Sequence, residues 1–269
     1  MPSRPLGDYL SALRDATPLV HCITNYVAMN STANLLLATG ASPAMLHAQE
    51  EVAEFTAISG ALSINIGTLS AHWADAMLIA ARTANEQHIP WVLDPVAVGA
   101  TAFRQQLCSA LLVHQPSVIR GNASEIQALN GLAGQGRGVD ATASTHEAAA
   151  AAISLAQQHR CVVAVTGEED FITNGTDHYR LKGGHPLMPR VTTLGCGLSA
   201  LVAGFVAANR TQPLEASLAA LACFSIAGNR AGQQAQGPGS FQVALLDALY
   251  QLTPEDLSTI AQMEAVHAV

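Results

Sequence analysis

Short apolar runs alternate with longer stretches of helical periodicity along most of the chain. The short runs predict strands at residues 19–24, 62–66, 91–96, 118–120 and 161–166. The longer patterns predict helices at residues 27–39, 50–59, 71–87, 124–130 and 146–158, the first of them ending at Gly40. Such alternation is typical of a parallel sheet that is covered by helices on both faces. The pattern therefore predicts an α/β fold.

The pattern changes after residue 166. Two short runs, 171–173 and 179–182, flank Asn174-Gly175 and predict a hairpin, because Asn-Gly favours a tight hairpin turn. Helical patterns follow at 197–208, 214–234 and 241–252. No Pro/Ser-rich linker, charge block or internal repeat interrupts the chain. We therefore expect one domain over residues 1–269.

The predicted strands end in polar or glycine-containing pairs. Ligands of open α/β sheets bind outside the carboxyl ends of the strands, so turns gathered there predict a binding crevice. These pairs are Thr24-Asn25, Gly67-Thr68, Asp94-Pro95, Gly121-Asn122 and Thr166-Gly167.

Composition narrows the possible partners. Hydrophobic residues make up 49% of the chain and charged residues 12%, so we expect part of the apolar surface to lie between subunits. The formal net charge is -8, Lys and Arg number 12, and aromatics make up 4%. A surface for a phosphate backbone or for stacked bases is not expected from these values, so nucleic acid is not expected as a partner.

The cysteines and the apolar runs indicate a cytoplasmic protein. The 5 cysteines are an odd number and form no C-x-x-C pair, which argues against a disulfide framework and against structural zinc. Residues 1–15 contain no apolar stretch of signal-peptide length. No run reaches membrane-spanning length, so we expect no membrane partner.

Two glycine patterns bear on nucleotide binding. A Walker A motif is absent, which disfavours a P-loop NTPase. The glycine-rich run at 131–138 follows a predicted helix rather than a strand and lacks an acidic residue placed for a ribose. We interpret this run as a mobile surface loop rather than a dinucleotide site.

Two carboxylates are placed at the predicted crevice. Asp94 ends a buried strand, and Glu125 enters a helix that Asn122 or Ser124 is able to cap. Capping is one interpretation of both positions, because Asp and Asn commonly terminate strands and begin helices. The other is a Mg²⁺ site, since Mg²⁺ prefers a few carboxylates together with phosphates.

The segment 191–204 is a glycine-bearing turn that opens directly into an apolar helix. Free backbone N–H groups and the helix dipole make such a turn an anion site. Cys196 lies at this position, where thiolate character is favoured. The alternative is a plain helix start with a small packed thiol.

Seven segments, in one order, resemble the hydroxyethylthiazole kinase family of the ribokinase-like superfamily. The similarity runs from about residue 18 to residues 237–241 and implies a three-layer fold, a mostly parallel central sheet and a role in thiamine salvage. The segments are PLVHCITNYV (18–27), GASPAML (40–46), INIGTL (64–69), LDPVAVGA (93–100), IRGNASEI (119–126), VVAVTGEEDF (162–171) and TLGCGLSALVAG (193–204).

The resemblance implies a reaction and a site. The reaction transfers the γ-phosphoryl group of ATP, with Mg²⁺, to the primary hydroxyl of 4-methyl-5-(2-hydroxyethyl)thiazole. It also implies a homotrimer with thiazole sites between subunits. The implied roles are thiazole binding by Asn25, Met45 and Gly67, with Thr193 and Gly195 in the turn beside it, metal and phosphate binding by Asp94 and Glu125, ATP binding by Arg120 and Thr166, and catalysis by Cys196.

Cys196 takes the place where most ribokinase-like enzymes carry an aspartate base. Since phosphoryl transfer proceeds through a loose transition state, a cysteine that orients the hydroxyl could suffice. A related kinase of hydroxymethylpyrimidine or pyridoxal is disfavoured by this cysteine. A catalytically weak binding protein with the same fold is the other alternative.

Thr193 departs from the family, whose turn usually reads Gly-x-Gly-Cys. A threonine at positive φ would be strained by about 1–3 kcal/mol, and we expect it to make this enzyme slower than its relatives. The alternative is a relaxed loop in which Gly195 and Gly197 supply the freedom and Leu198 reaches the reacting position.

Overall fold

The computed structural model describes residues 2–132 and 145–266. Within these ranges the strands are β1 (Leu19–Ile23), β2 (Ser42–Ala44), β3 (Ala61–Asn65), β4 (Trp91–Asp94), β5 (Val118–Asn122), β6 (Val162–Thr166), β7 (Glu169–Thr173), β8 (His178–Lys182) and β9 (Gln262–Ala265). The helices are α1 (Leu6–Ala16), α2 (Met29–Thr39), α3 (Val52–Ile58), α4 (Ala71–Glu86), α5 (Ala102–Leu112), α6 (Ala123–Leu132), α7 (Thr145–His159), α8 (Leu194–Ala208), α9 (Pro213–Gln234), α10 (Pro238–Gln251) and α11 (Pro254–Ile260).

These strands form one mixed sheet in the order β2-β1-β3-β4-β5-β6-β7-β8-β9. The pairs from β2 through β6 are parallel, and those from β6 through β9 are antiparallel. The chain leaves β1 toward β2 on one side and then returns to β3 on the other. The carboxyl ends of β1 and β3 therefore flank the topological switch point, where open α/β sheets bind ligands.

Helices cover both faces of the sheet and enclose two apolar cores. The core on one face is built from α1, α2, α8, α9 and α10. The core on the other face is built from α3 through α7. The α/β fold predicted from the alternating pattern is confirmed, and so is the hairpin of β7 and β8 around residues 174–177.

Helix α8 is apolar on nearly every side because it lies between the sheet and other helices. It packs on β1, β3 and β4 and also contacts α2 and α9. Its amino end points to the carboxyl edge of the sheet, where Ser199 reaches Asp94 at the end of β4. This central placement brings the turn at 193–197 to the switch point.

Most predicted boundaries agree with the structure to within two or three residues. Gly40 ends α2 in the left-handed conformation at φ 111°, as its position after the apolar pattern predicted. Residues 133–138 of the glycine-rich run interpreted as a loop lie outside the described residues, while Gly131 and Leu132 are the last residues of α6. In the part of the chain that the structure describes, no helix has the length and apolarity needed to cross a membrane.

Candidate active site

Asn25 and Asn65 join the two strands that flank the switch point. Asn25 follows β1, Asn65 ends β3, and both are almost fully buried. The Asn25 side-chain amide donates to Asn65 Oδ1 at 2.9 Å and to the Cys196 sulfur at 3.2 Å. The first bond ties the end of β1 to the end of β3, and the second ties it to the start of α8.

Gly67 packs directly against the Asn25 side chain. A Cβ atom at position 67 would lie 2.7 Å from Asn25 Nδ2, so only glycine fits unless the asparagine moves. The Gly67 amide donates to Asn65 Oδ1 at 2.9 Å, and the Gly67 carbonyl accepts from Arg104 at 2.6 Å. Arg104 also donates to the carbonyls of Ile66 and Val96, so it holds the turns after β3 and β4 together.

Asp94 lies at the centre of the crevice and is 1% exposed. Its Oδ2 atom accepts from Asn65 at 2.7 Å and from Ser199 at 2.8 Å, and Arg120 lies 3.9 Å away. Its Oδ1 atom has no hydrogen-bond partner among the described residues. Burial, opposed by Arg120, raises the pKa of Asp94 to about 6. Capping does not explain this residue, because its partners are side chains rather than helix amides.

Glu125 does take part in capping. Its carboxylate accepts from the Asn122 amide at 2.9 Å, and Asn122 Oδ1 accepts from the Glu125 amide at 2.9 Å, which forms a capping box at the start of α6. The second carboxylate oxygen accepts from the amide of Ala97 at 3.0 Å. Ala97 has φ 53°, so Glu125 also supports a strained turn after β4.

Arg120 and Thr166 meet at the ends of neighbouring parallel strands. The Arg120 guanidinium donates to the Thr166 hydroxyl, while Arg120 Nε is buried without a partner among the described residues. Gly195 lies against this guanidinium: a Cβ at position 195 would lie 2.8 Å from Arg120 Nη1. The glycine at 195 therefore makes room for an arginine, which is a role in packing rather than in backbone freedom.

Thr193 is the residue before α8 and adopts the left-handed conformation, with φ 72° and ψ -6°. Gly195 and Gly197 lie within the helix, and the Gly197 amide donates to the Thr193 carbonyl at 2.9 Å. The relaxed loop considered from the sequence is therefore wrong. Leu198 is 5% exposed within the core, so it does not face a reacting group.

The amides of Leu194, Gly195 and Cys196 have no acceptor inside α8, because they belong to its first turn. The Thr193 side chain does not cap this turn either, since it accepts no hydrogen bond from the helix. The predicted anion site, at the start of an apolar helix, is therefore open toward the crevice.

Cys196 is half-buried at this helix start. Burial raises the pKa of the Cys196 thiol, the nearby Asp94 charge raises it further, and the hydrogen bonds from Asn25 and Asn65 oppose the shift. The expectation of thiolate character was wrong, because burial outweighs the favourable hydrogen bonds. The group that faces the crevice is a neutral thiol.

Met45 follows β2 and is partly buried against the core. Two residues later, the His47 ring lies 4.3 Å from the Trp73 ring, and Tyr26 lies 4.6 Å from the same ring. Since Tyr26 follows Asn25, the Trp73 ring places the Met45 segment beside the Asn25 segment. Trp73 itself is buried at the start of α4, and nothing in the sequence pattern separated it from an ordinary core residue.

The two carboxylates fit a divalent ion whose other ligands come from phosphate and water. Asp94 keeps one oxygen without a partner, and the charge of Glu125 acts on it directly. No group of three or more His, Cys, Asp or Glu side chains able to hold a metal occurs among residues 2–132 and 145–266. A donor set this small suits Mg²⁺, which keeps several waters in nucleotide sites.

Besides Trp73, three residues around Asp94 were missed from the sequence. Asn65 and Ser199 bind Asp94, and Arg104 clamps the turns beside it. A signal existed for Ser199, which lies three positions after Cys196 and thus on the same face of the helix. Asn65 interrupts an otherwise apolar buried strand, and a polar residue there requires a partner.

Comparisons with known proteins agree with this geometry. A model of the hydroxyethylthiazole kinase family matches residues 10–255. A hydroxyethylthiazole kinase of Rhizobium rhizogenes is 54% identical over 262 residues, which cover 97% of this chain and 98% of that protein. The solved hydroxyethylthiazole kinase of Pyrococcus horikoshii OT3 superimposes with a TM-score of 0.90 at 41% identity, covering 97% of this chain and 99% of the other.

A pyridoxal kinase of Staphylococcus aureus, solved with AMP-PCP, shares the fold alone. It has a TM-score of 0.68 at 15% identity and covers 93% of this chain and 100% of its own. The three-layer, ribokinase-like fold that the resemblance implied is therefore confirmed. Together, the matched residues 10–255 and the identity across nearly the whole length show that this chain belongs to the hydroxyethylthiazole kinase family.

Proposed function

We propose that this chain transfers the γ-phosphoryl group of ATP to the primary hydroxyl of 4-methyl-5-(2-hydroxyethyl)thiazole, as a step of thiamine salvage. The observation that carries the proposal is the contact between Asn25 and Cys196 at 3.2 Å. It joins a polar group at the switch point to a helix start with free amides. An alcohol held by Asn25 would lie next to a phosphoryl group held by the amides at the start of α8.

The thiazole ring would lie between Asn25, Gly67 and Met45. Gly67 allows close packing of its backbone against the Asn25 side chain by lacking a Cβ, and Met45 supplies an apolar, polarizable contact for a sulfur heterocycle. The Trp73 ring, with Tyr26 and His47 on it, supports both segments. The hydroxyethyl arm would then point to Cys196.

The nucleotide would lie on the other side of Cys196. The amides of Leu194, Gly195 and Cys196 are oriented to bind oxygens of the transferring group, and they gain strength from the positive end of the helix. The Gly197 amide is not available, because Thr193 accepts its hydrogen bond. Arg120 and Thr166 would contact the phosphates, and the Arg120 Nε donor has no partner among the described residues.

Mg²⁺ would be held near Asp94 and Glu125, and when bound it would neutralise charge on the phosphates. The unpartnered Asp94 Oδ1 is the oxygen that supports this assignment. Because Glu125 already accepts two backbone amides, we assign it an outer role, through water. Asn65 and Ser199 keep the Asp94 carboxylate oriented.

Cys196 would orient the substrate hydroxyl by a hydrogen bond. The neutral thiol is a weak base, and a loose transition state needs little deprotonation of the alcohol before attack. Charge neutralisation by Arg120 and by the free amides would supply most of the acceleration. This assignment makes Cys196 less important for thiazole binding than for turnover.

We infer further that the chain is a single-domain, cytoplasmic homotrimer with active sites at subunit interfaces. Tyr26 and Val27 are 64% and 61% exposed directly beside Asn25, which supports a neighbouring subunit at this side of the pocket. The free cysteines support a reducing compartment. Light scattering of the purified protein measures the trimer directly.

An assay of ATP consumption with and without the thiazole alcohol tests the proposed reaction. We expect rapid ADP formation only when the thiazole alcohol and Mg²⁺ are both present. Faster turnover of pyridoxal or hydroxymethylpyrimidine in parallel reactions would assign the chain a different acceptor. Binding of the thiazole alcohol without turnover would instead identify a ligand-binding protein.

A further inference from the structure

A threonine occupies a backbone conformation that normally requires glycine. Thr193 has φ 72° immediately before α8, and the conformation sets the direction in which the amides of Leu194 and Gly195 point. A β-branched side chain disfavours this region of backbone space. Something outside the turn must therefore hold Thr193 in place.

Among the described residues, the hydrogen-bond partner of the Thr193 side chain lies on another helix. Its hydroxyl lies 2.6 Å from the hydroxyl of Ser31 in the first turn of α2. The Ser31 hydroxyl donates to the Ala28 carbonyl at 3.1 Å. Since a hydroxyl carries one hydrogen, Ser31 accepts from Thr193, and the direction of the chain of bonds is set.

The same chain of bonds continues to the substrate side of the site. The Ala28 amide donates to Asn25 Oδ1 at 3.0 Å, and the Asn25 amide donates to the Cys196 sulfur at 3.2 Å. Cys196 lies three residues after Thr193. The bonds therefore close a ring that connects the start of α2 with the start of α8.

We propose that Ser31 is a positioning residue that holds Thr193 in the left-handed conformation and so aims the first amides of α8 at the transferring phosphoryl group. We call this contact the Ser31–Thr193 clamp. The inference rests on the proposed kinase function of the site. The clamp explains why a threonine is tolerated at position 193, because the hydrogen bond to Ser31 holds the left-handed conformation that a glycine would adopt without strain.

The clamp predicts a specific pattern of rescue. Ser31→Ala removes the partner while Thr193 stays, so the turn relaxes away from the phosphoryl position. Thr193→Gly removes both the need for the clamp and the clamp itself. Ser31→Ala should therefore lower kcat when residue 193 is threonine and leave it unchanged when residue 193 is glycine. If Ser31 had only a general structural role, the loss would be the same in both backgrounds.

The experiment measures kcat and both KM values for wild type, Ser31→Ala, Thr193→Val, Thr193→Gly and the double variant Ser31→Ala/Thr193→Gly. Ser11→Ala is the matched control, because Ser11 is a half-buried helix serine whose hydroxyl donates to a backbone carbonyl far from the site. Thermal unfolding of each variant is followed in parallel. Thr193→Val keeps the β-branched shape and removes only the hydroxyl.

We expect Ser31→Ala and Thr193→Val each to lower kcat about three- to tenfold, the range of one lost hydrogen bond, with the thiazole KM within about twofold of wild type. The double variant should equal Thr193→Gly in rate and in melting temperature. Ser11→Ala should match the wild type.

An equal fractional loss from Ser31→Ala in both backgrounds overturns the clamp, as does a Ser31→Ala variant with wild-type kcat. If the wild type phosphorylates no thiazole alcohol, the proposed function fails while the melting temperatures still decide on the clamp. Ser31→Ala should then lower the melting temperature only where Thr193 is present.

Discussion

Helices α6 and α8 both begin at the carboxyl edge of the sheet, yet their first turns are completed in opposite ways. At α6, Asn122 and Glu125 accept each other's amides in a capping box. At α8, the side chain of the preceding residue, Thr193, accepts no hydrogen bond from the helix, and its hydroxyl bonds to Ser31 instead. One helix start is closed by its own side chains, and the other is open.

The two helix starts therefore have different roles: the start of α6 supports the fold, and the start of α8 is available to bind a ligand. A capping box stabilises a helix by satisfying its first amides, and amides so satisfied have nothing to offer a ligand. An open start lacks that stabilisation but presents donors and a positive dipole end to an anion. Asp94 lies between the two, since it feels the charge of Glu125 and accepts from Ser199 of α8. Substitutions at four positions test this difference between the two helix starts.

The largest effect should follow from Asp94→Asn. We expect kcat to fall by roughly 10²–10³-fold, because the substitution removes charge from the proposed metal and phosphate side of the crevice. The amide still accepts from Asn65 and Ser199, and burial disfavours the carboxylate charge. We therefore expect a melting temperature at or above that of the wild type, and steady-state rates at saturating Mg²⁺ check the activity.

At position 94, asparagine is a more informative substitution than alanine. Asp94 is buried at the end of β4, and its carboxylate accepts hydrogen bonds from Asn65 and Ser199. Alanine would leave both donors unsatisfied and mix a folding defect with a catalytic one. An Asp94→Asn enzyme with wild-type kcat at limiting Mg²⁺ would remove the metal role of this residue.

Glu125→Gln should lower kcat by about tenfold to a hundredfold, with the larger loss at limiting Mg²⁺. The amides of Ala97 and Asn122 bond to different oxygens of Glu125, so glutamine keeps an acceptor for one of them and places an NH₂ group against the other. Thermal unfolding in parallel measures the loss of that second hydrogen bond. Titration of activity with Mg²⁺ measures the effect. A glutamine variant with an unchanged Mg²⁺ dependence would leave Glu125 a capping residue only.

Cys196→Ala should reduce kcat by about fivefold and change the thiazole Kd far less, because a neutral hydrogen bond to the hydroxyl is worth about 1 kcal/mol. Cys196→Asp should equal or exceed the wild-type rate, since a carboxylate accepts the alcohol proton more readily than a thiol of raised pKa. Single-turnover and equilibrium-binding measurements separate the two quantities. An Asp variant slower than the Ala variant would show that this side chain does not face the alcohol.

The sequence predicted many of the elements that are determined locally, although helices α1, α5 and α11 were missed. Buried β-branched runs and a terminal glycine located β1, β3 and α2 because apolar periodicity and left-handed capping act over a few residues. Strand β2 was missed because three residues that include Pro43 carry little pattern. Strand β9 was missed because it gains its order from pairing with β8 at the sheet edge.

In the site as well, residues with a local signal were predicted, and properties that depend on long-range contacts were not. Asp94 and Asn25 were identified because they follow buried strands or match family motifs. The conformation of Thr193 was expected to be strained, but its partner Ser31 lies 162 positions away along the chain. The raised pKa of Cys196 likewise depends on burial, which only the packed structure determines. Contacts between residues this far apart along the chain cannot be predicted from the local pattern of hydrophobic and polar residues.

The smallest effect should come from Asn122→Ala, and it is the most direct test of the closed helix start. The variant loses the acceptor for the Glu125 amide and should lower stability by about 1 kcal/mol, or roughly 2–4 °C in melting temperature. Because the amides of α8 are untouched, the upward shift of the melting temperature with inorganic phosphate should match that of the wild type. Thermal unfolding with and without phosphate measures both quantities. A phosphate shift that disappears in Asn122→Ala would place the anion at α6 and reverse the assignment of the two helices.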